Sequence, residues 1–253
     1  MITIITSFKE EYEVFCKGSP LGARIVSQLD AYGAQHAFAL FWEQRDDEGT
    51  LTTVISKFGG SVTVYEKNAD VEELGEFLKV IEINNISLPY SLAKKLYDEC
   101  KINCKTIMKY KYAGITRSEH NFEDFSNEVD LKQVYDIISV CHENPKNMRN
   151  FEGWITDLSH RIRHGYSDAV AVHKDGKIVS CAIALATTGT DILIGGIATL
   201  DKYRKRGFAK NCIYEIIRRN EGKNIFLFCE DDKIGFYKKI GFEKHGLTAE
   251  VYF

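Results

Sequence analysis

The chain has 253 residues, 44% of them hydrophobic and 27% charged, which is material for two packed cores. A formal net charge of −3 argues against nucleic acid as the main partner. No apolar run approaches the ~20 residues of a membrane span, and Met1-Ile-Thr-Ile-Ile-Thr lacks the basic stretch and cleavage pattern of an export signal, so a cytoplasmic protein away from membranes is expected. The seven cysteines are scattered and odd in number, which suits reduced thiols at apolar positions; Cys100 and Cys104 form the one close pair, without further ligands at metal spacing, and no metal is expected.

In chain order, Glu10–Cys16 and 20–29 read as short helices around Gly18, and 34–44 as a strand. Leu51–Phe58 and Ser61–Glu66 flank Gly59-Gly60, the pair of glycines that a tight primed turn needs, and so read as a β-hairpin. Val71–Val80 has Leu74, Phe77 and Leu78 at helical spacing, and 88–100 reads as a second helix started by Pro89. The first half is thus an α+β unit, without a motif that carries chemistry. Its order of elements loosely repeats the second half, as a degenerate duplicate of the same fold would.

A strand at 105–113 and a polar stretch at 114–127 follow, with the boundary between halves somewhere in 100–127. Domains are set at 1–104 and 105–253. Residues 130–138 read as a helix capped near Asp130, a break follows at Pro145 to Asn147, and 151–165 reads as a helix closed by Gly165. Then come strands at 169–173 and Lys177–Thr187 around Asp175-Gly176, a turn at Gly189-Thr190, and a strand at Asp191–Thr199. Past Gly207 the period changes: Ala209, Cys212, Ile213, Ile216 and Ile217 recur as on an amphipathic helix.

The strand-to-helix turn carries Arg204, Lys205, Arg206 and Gly207. Free N–H groups of a helix start, the positive end of its dipole and a run of cations meet there, which is the chemistry of a phosphate site. Gly207 allows a tight turn and close approach to an anion, and small Ala209 leaves room beside it. Charge-assisted hydrogen bonds of about 1.5–3 kcal/mol each, several together, suffice for a pyrophosphate.

Arg204-x-x-Gly207-x-Ala209 resembles the signature Arg/Gln-x-x-Gly-x-Gly/Ala of the GNAT acyltransferase superfamily. Asn224–Cys229 reads as the next strand, and Phe236-Tyr237 with Gly241-Phe242 resembles the end of the family's late helix. The resemblance spans roughly residues 121–253 and implies a GNAT-like mixed sheet flanked by helices, preceded by an additional N-terminal α+β domain. It further implies acetyl-CoA as co-substrate, its pyrophosphate on Arg204, Lys205, Arg206, Gly207, Phe208, Ala209 and Lys210. Backbone N–H groups of Ile197, Ala198 and Thr199 would hold the pantetheine and polarise the thioester carbonyl. Tyr237 matches the tyrosine that protonates the departing thiolate. Two departures stand out: Glu230 occupies a position where many members carry Asn, and Leu200-Asp201 replaces a proline usual before the signature.

An alkyl amine with pKa near 10.4 must be presented neutral, at a cost of roughly 4.6 kcal/mol at pH 7. Asp191, Glu230 and Asp231 are candidate bases at strand ends, Glu230 the best placed, with a solvated acid before the helix as the plainer alternative. The acceptor would be a small-molecule or peptide amine, its pocket built from segments such as 144–165. His160 and His164 lie four apart on one helix, and Trp42 and Trp154 read as core anchors. The first half is left to shape the acceptor site or a homo-oligomer interface. The alternative to an enzyme is a non-catalytic acyl-CoA-binding or sensing module on the same fold.

Overall fold

The computed structural model describes residues 1–111, 129–141 and 150–253. The expected polar stretch at 114–127, the break at Pro145 to Asn147 and the first part, 144–149, of the presumed acceptor segment 144–165 lie outside the described residues. The chain forms two compact units, Met1–Tyr110 together with Phe226–Phe253, and Lys111–Ile225. Among the described residues no helix is long and apolar enough to cross a membrane.

The first unit begins with β1 (Ile2–Ile4), α1 (Glu10–Cys16), α2 (Pro20–Tyr32), β2 (Ala39–Arg45), β3 (Leu51–Phe58) and β4 (Ser61–Glu66). There follow α3 (Val71–Val80), β5 (Asn85–Pro89), α4 (Tyr90–Leu96) and β6 (Asn103–Tyr110). Pro20 opens α2, whose N-cap Ser19 accepts from the Gly22 N–H at 3.2 Å; Gly33 in the left-handed region ends it. Within the expected helix 88–100 the structure finds two elements. Ile86 and Leu88 are fully buried on β5, and the helix proper starts only at Tyr90. Proline at position 89 serves both, closing a strand and opening a helix.

The second unit contains α5 (Leu131–Cys141), α6 (Phe151–Arg163), β7 (Asp168–Lys174), β8 (Lys177–Thr187), β9 (Asp191–Thr199) and α7 (Phe208–Arg219). After it, β10 (Asn224–Cys229), α8 (Ile234–Lys239) and β11 (Phe242–Tyr252) complete the chain. The order β2β3β4α3β5α4β6 is repeated as β7β8β9α7β10α8β11, each preceded by two helices. The degenerate repeat expected from sequence is therefore present in the succession of elements.

In the first unit the strands run β1-β2-β3-β4-β5-β11-β6-β10. All neighbours are antiparallel except β4 and β5, which are parallel. Both faces are covered. Val54 belongs to a core with Tyr12, Ile25 and Leu29 of α1 and α2; Ile55, one residue on, belongs to a core with Leu74, Leu78 and Leu92 of α3 and α4. Trp42 packs edge-on against Phe77 at 5.2 Å, as a core anchor would. Strands β6 and β11 exchange places: β6, from the first half, lies between β11 and β10, and β11, from the second, lies between β5 and β6.

The second unit is an antiparallel meander, β7-β8-β9. Helices α5 and α6 cover one face, with Val134, Ile137, Ile138 and Leu158 packed on Ala169, Ala171, Cys181 and Ile183. Cys212, Ile213, Ile216 and Ile217 of α7 are buried. Each buried isoleucine contributes about 1.5–3 kcal/mol, so packing rather than propensity fixes α7, whose first residues are then displayed where the strand ends.

Candidate functional site

The N-terminus of α7 is open. Five helices of ten residues or more occur among the described residues, and four have a side-chain cap: Ser19, Asp70, Asp130 and Asn150 accept backbone N–H groups of α2, α3, α5 and α6. At α7 the cap position is Gly207, with φ 82° and no side-chain bond. The first helical bond there runs from Asn211 N–H to the Gly207 carbonyl, leaving Phe208, Ala209 and Lys210 as donors ahead of it. Gly207 is exposed, as are Arg204, Lys205 and Arg206, and nothing lies within 4 Å of where a Cβ on Gly207 would sit. Lys205 is also left-handed, at φ 61°. Two left-handed residues in so short a turn fold its amides into a concavity suited to an anion.

Five cations, Lys202, Arg204, Lys205, Arg206 and Lys210, face a single acid, Asp201, across 200–210. They are not equally free. Arg204 turns back on its own loop, donating to Thr199 O at 3.2 Å and pairing with Asp201 at 2.8 Å. Arg206 lies over the Tyr203 ring at 5.5 Å, and Lys210 over Tyr214 at 5.3 Å. Lys205 has no such contact among the described residues.

Strand β9 is irregular where it matters. Ala198 pairs with Cys181 and Gly195 with Ile183, so Gly196 and Ile197 together oppose only Ala182. Leu185 is the compensating extra residue on β8. Gly196 has φ 56°, and a Cβ there would come within 2.9 Å of Ile183; one on Gly195 would collide with Leu185. Gly196 is required by this bulge, which re-aims Ile197. The signal for it in the sequence is the pair of glycines inside a strand. Ala198 and Thr199 are back in register; their carbonyls accept from Ser180 Oγ at 3.0 Å and from Arg204.

Among the candidate acids, Asp191 is a structural residue. It is buried at the far end of β9 from Thr199, accepting from Asn224 Nδ2 at 2.8 Å and Thr190 Oγ1 at 2.8 Å. In the first unit, Glu230 is half-exposed where β10 ends, with Lys105 Nζ at 4.0 Å, and Asp231 accepts from Thr106 Oγ1 at 3.3 Å.

Tyr237 is 9% exposed, its ring edge-on to Phe236 at 5.1 Å and near Phe242 at 6.1 Å. Its hydroxyl has no hydrogen-bond partner among the described residues, although it is not sealed from solvent. Burial first, and then the Cys229 thiol and Asp232, push its pKa well above the usual phenol value. The proton stays on this tyrosine across the physiological range.

The cysteines divide. Cys181, Cys212 and Cys229 are buried, and burial pushes Cys212 up to about 12 and Cys229 to about 11. Cys100 and Cys104, expected at apolar positions, are exposed instead. His160 and His164 rest ring against ring at 4.5 Å, and no group of three metal-ligating side chains occurs among the described residues. Trp154 packs against Tyr135 at 5.2 Å.

The open, basic start of α7 thus follows directly on a bulged strand. Residues 165–244 match the model of the acetyltransferase (GNAT) domain family. Solved structures share the fold over most of the chain. A GCN5-related N-acetyltransferase from Sphaerobacter thermophilus superposes with a TM-score of 0.59 at 12% identity, over 98% of this chain and 94% of its own. A tandem GNAT protein from the clavulanic acid biosynthesis pathway gives 0.58 at 10% identity, over 100% and 98%. A GCN5-related N-acetyltransferase from Kribbella flavida gives 0.55 at 14%, over 79% and 86%. The search of curated protein sequences returned no match.

Proposed function

We propose that the chain is an acyl-CoA-dependent N-acyltransferase that moves acetyl from acetyl-CoA to a primary amine of a small molecule or peptide. The observation that carries this is the uncapped start of α7 beneath a cationic turn, within the residues matched by the GNAT domain. In this reading Arg204 to Lys210 hold the pyrophosphate, and the backbone of Ile197, Ala198 and Thr199 binds pantetheine and the thioester carbonyl. A boundary at 104/105 would cut through β6, so the two copies of one ancestral fold divide after Tyr110, and the second keeps the coenzyme turn.

The amine nitrogen attacks the thioester carbon, the C–S bond breaks, and the thiolate takes the Tyr237 proton while the amine gives one up to Glu230. An amide and the free thiol leave, and the proton on Glu230 returns to Tyr237 through solvent. Because burial makes Tyr237 an even weaker acid than a free phenol, proton transfer must accompany C–S cleavage and cannot precede it.

Calorimetric titration with acetyl-CoA, followed by thiol release over a panel of amines, tests the reading. Binding together with amine-dependent release is the expected result; absence of binding ends it. The burial of Tyr237 among aromatic rings also fits a sensing module, in which the tyrosine only packs. Binding without thiol release from any amine would select that module.

A further inference from the structure

The first half carries no phosphate turn, yet it supplies the side chains that touch Glu230 and Asp231. Strand β6 pairs with β10 from Thr106 opposite Cys229 to Lys109 opposite Phe226, and with β11 on its other side. Lys105, one residue before that ladder with β10, is held by Glu250 of β11 at 2.6 Å and points its ammonium at Glu230 from 4.0 Å. This is the one ion pair Glu230 makes among the described residues. The next residue, Thr106, donates to Asp231 at 3.3 Å. Glu250 is itself fixed from several directions: Lys105 bonds it, Tyr252 Oη donates to it at 3.0 Å, and Arg24 of α2 adds its charge. Arg24 is anchored over the Phe228 ring at 5.6 Å and on Ser87 Oγ at 3.2 Å.

We infer that Lys105, delivered by the exchanged strand β6 and braced by Glu250, is a positioning residue for Glu230, so that the first half forms part of the acyl-transfer machinery of the second. This rests on Glu230 acting as the base. The physical reason is rigidity. Glu230 lies past the last residue of β10 and makes no cap bond of its own, so its rotamer is set by whatever cation stands opposite. A lysine with one bond committed to a mostly buried carboxylate cannot wander, and it offers Glu230 a fixed counter-charge.

Removing Lys105 alone would take from the largely buried Glu250 the one ion pair it makes among the described residues, which by itself threatens folding. The test therefore uses the double variant Lys105→Met/Glu250→Met beside Lys105→Arg and Glu230→Gln, all in the full chain with acetyl-CoA and an amine found by thiol release. The double variant is expected to lose roughly five-fold or more in kcat, with KM for acetyl-CoA within about two-fold of the parent. Lys105→Arg should recover most of that loss, which a role in packing alone would not require. Wild-type kcat in the double variant, with Glu230→Gln strongly impaired, overturns the inference while leaving Glu230 as base. Unimpaired Glu230→Gln removes the base assignment, and the role of Lys105 falls with it. If the double variant does not fold, Lys105→Gln replaces it, and the same comparison with Lys105→Arg decides.

Discussion

At the scale of single residues, buried Tyr237 and half-buried Asp30 make different demands. Tyr237 has its ring packed, and its hydroxyl makes no hydrogen bond among the described residues. Tyr237→Phe should therefore leave the melting temperature nearly unchanged or slightly raised, while turnover falls roughly ten-fold or more and acetyl-CoA affinity holds. Steady-state kinetics with calorimetric binding checks this, and unchanged turnover would return Tyr237 to a purely packing role. Asp30 on α2 is raised to about 6, by burial first and by the nearby Glu13 second. Its unfolded value is near 3.9, so the folded state prefers the protonated acid. The stability linked to it is present below about pH 4 and is lost as pH rises through 6. Asp30→Asn should raise the melting temperature at pH 7.5 by a few degrees and make no difference near pH 4, and thermal denaturation at the two pH values reads this directly.

At the scale of elements, the turn before α7 should be sensitive to its glycine in a way that backbone strain alone does not explain. A left-handed alanine costs about 1–2 kcal/mol wherever it occurs. Gly222, just beyond α7, has φ 87° and open space for a Cβ, as Gly207 has at φ 82°. Gly222→Ala and Gly207→Ala should then lower the melting temperature by similar amounts. Only Gly207→Ala should weaken acetyl-CoA, about ten-fold, because its Cβ stands where the backbone must meet the anion. Equal affinities of the two variants, measured by titration, would move the coenzyme site away from this turn. The elements that sequence located well were those with local chemistry: the Gly59-Gly60 and Asp175-Gly176 hairpins, the Asp130 cap, and the change of period at Gly207. What stayed hidden was non-local. Strand β5 is five residues long, runs into Pro89 without a break, and acquires its identity only by pairing with β4 and β11. The neighbours of Glu230 could not be read either, since Lys105 and Glu250 lie 145 residues apart and are joined only by strand exchange.

At the scale of the whole molecule, the repeat of elements raises the question of how many coenzymes one chain binds. The turn in the first half that corresponds to the α7 start runs from the end of β4 to α3. There the cap is Asp70, whose carboxylate accepts from the Glu72 and Glu73 N–H groups at 3.1 Å each. Two of the donors that would meet a phosphate are already bonded to an anion, which also offsets the dipole. Glu73 adds a second carboxylate at the same helix start, fixed by the Ile2 N–H at 2.7 Å and Gln44 Nε2 at 2.9 Å. The turn's cation, Lys67, is drawn over the Phe15 ring at 4.6 Å. A pyrophosphate brought to this corner would face two fixed negative charges, with the Glu72 and Glu73 amides already bonded, whereas at α7 it meets several cations and three open N–H groups. One acetyl-CoA per chain is the expected stoichiometry, from titration with active protein concentration measured independently. Gly207→Val, with a branched side chain forced into the left-handed region, should abolish that single isotherm and leave no weaker one beneath it. A second isotherm surviving in Gly207→Val would mean that the first half binds coenzyme by a surface other than its helix start, and that the two halves have diverged less than their turns imply.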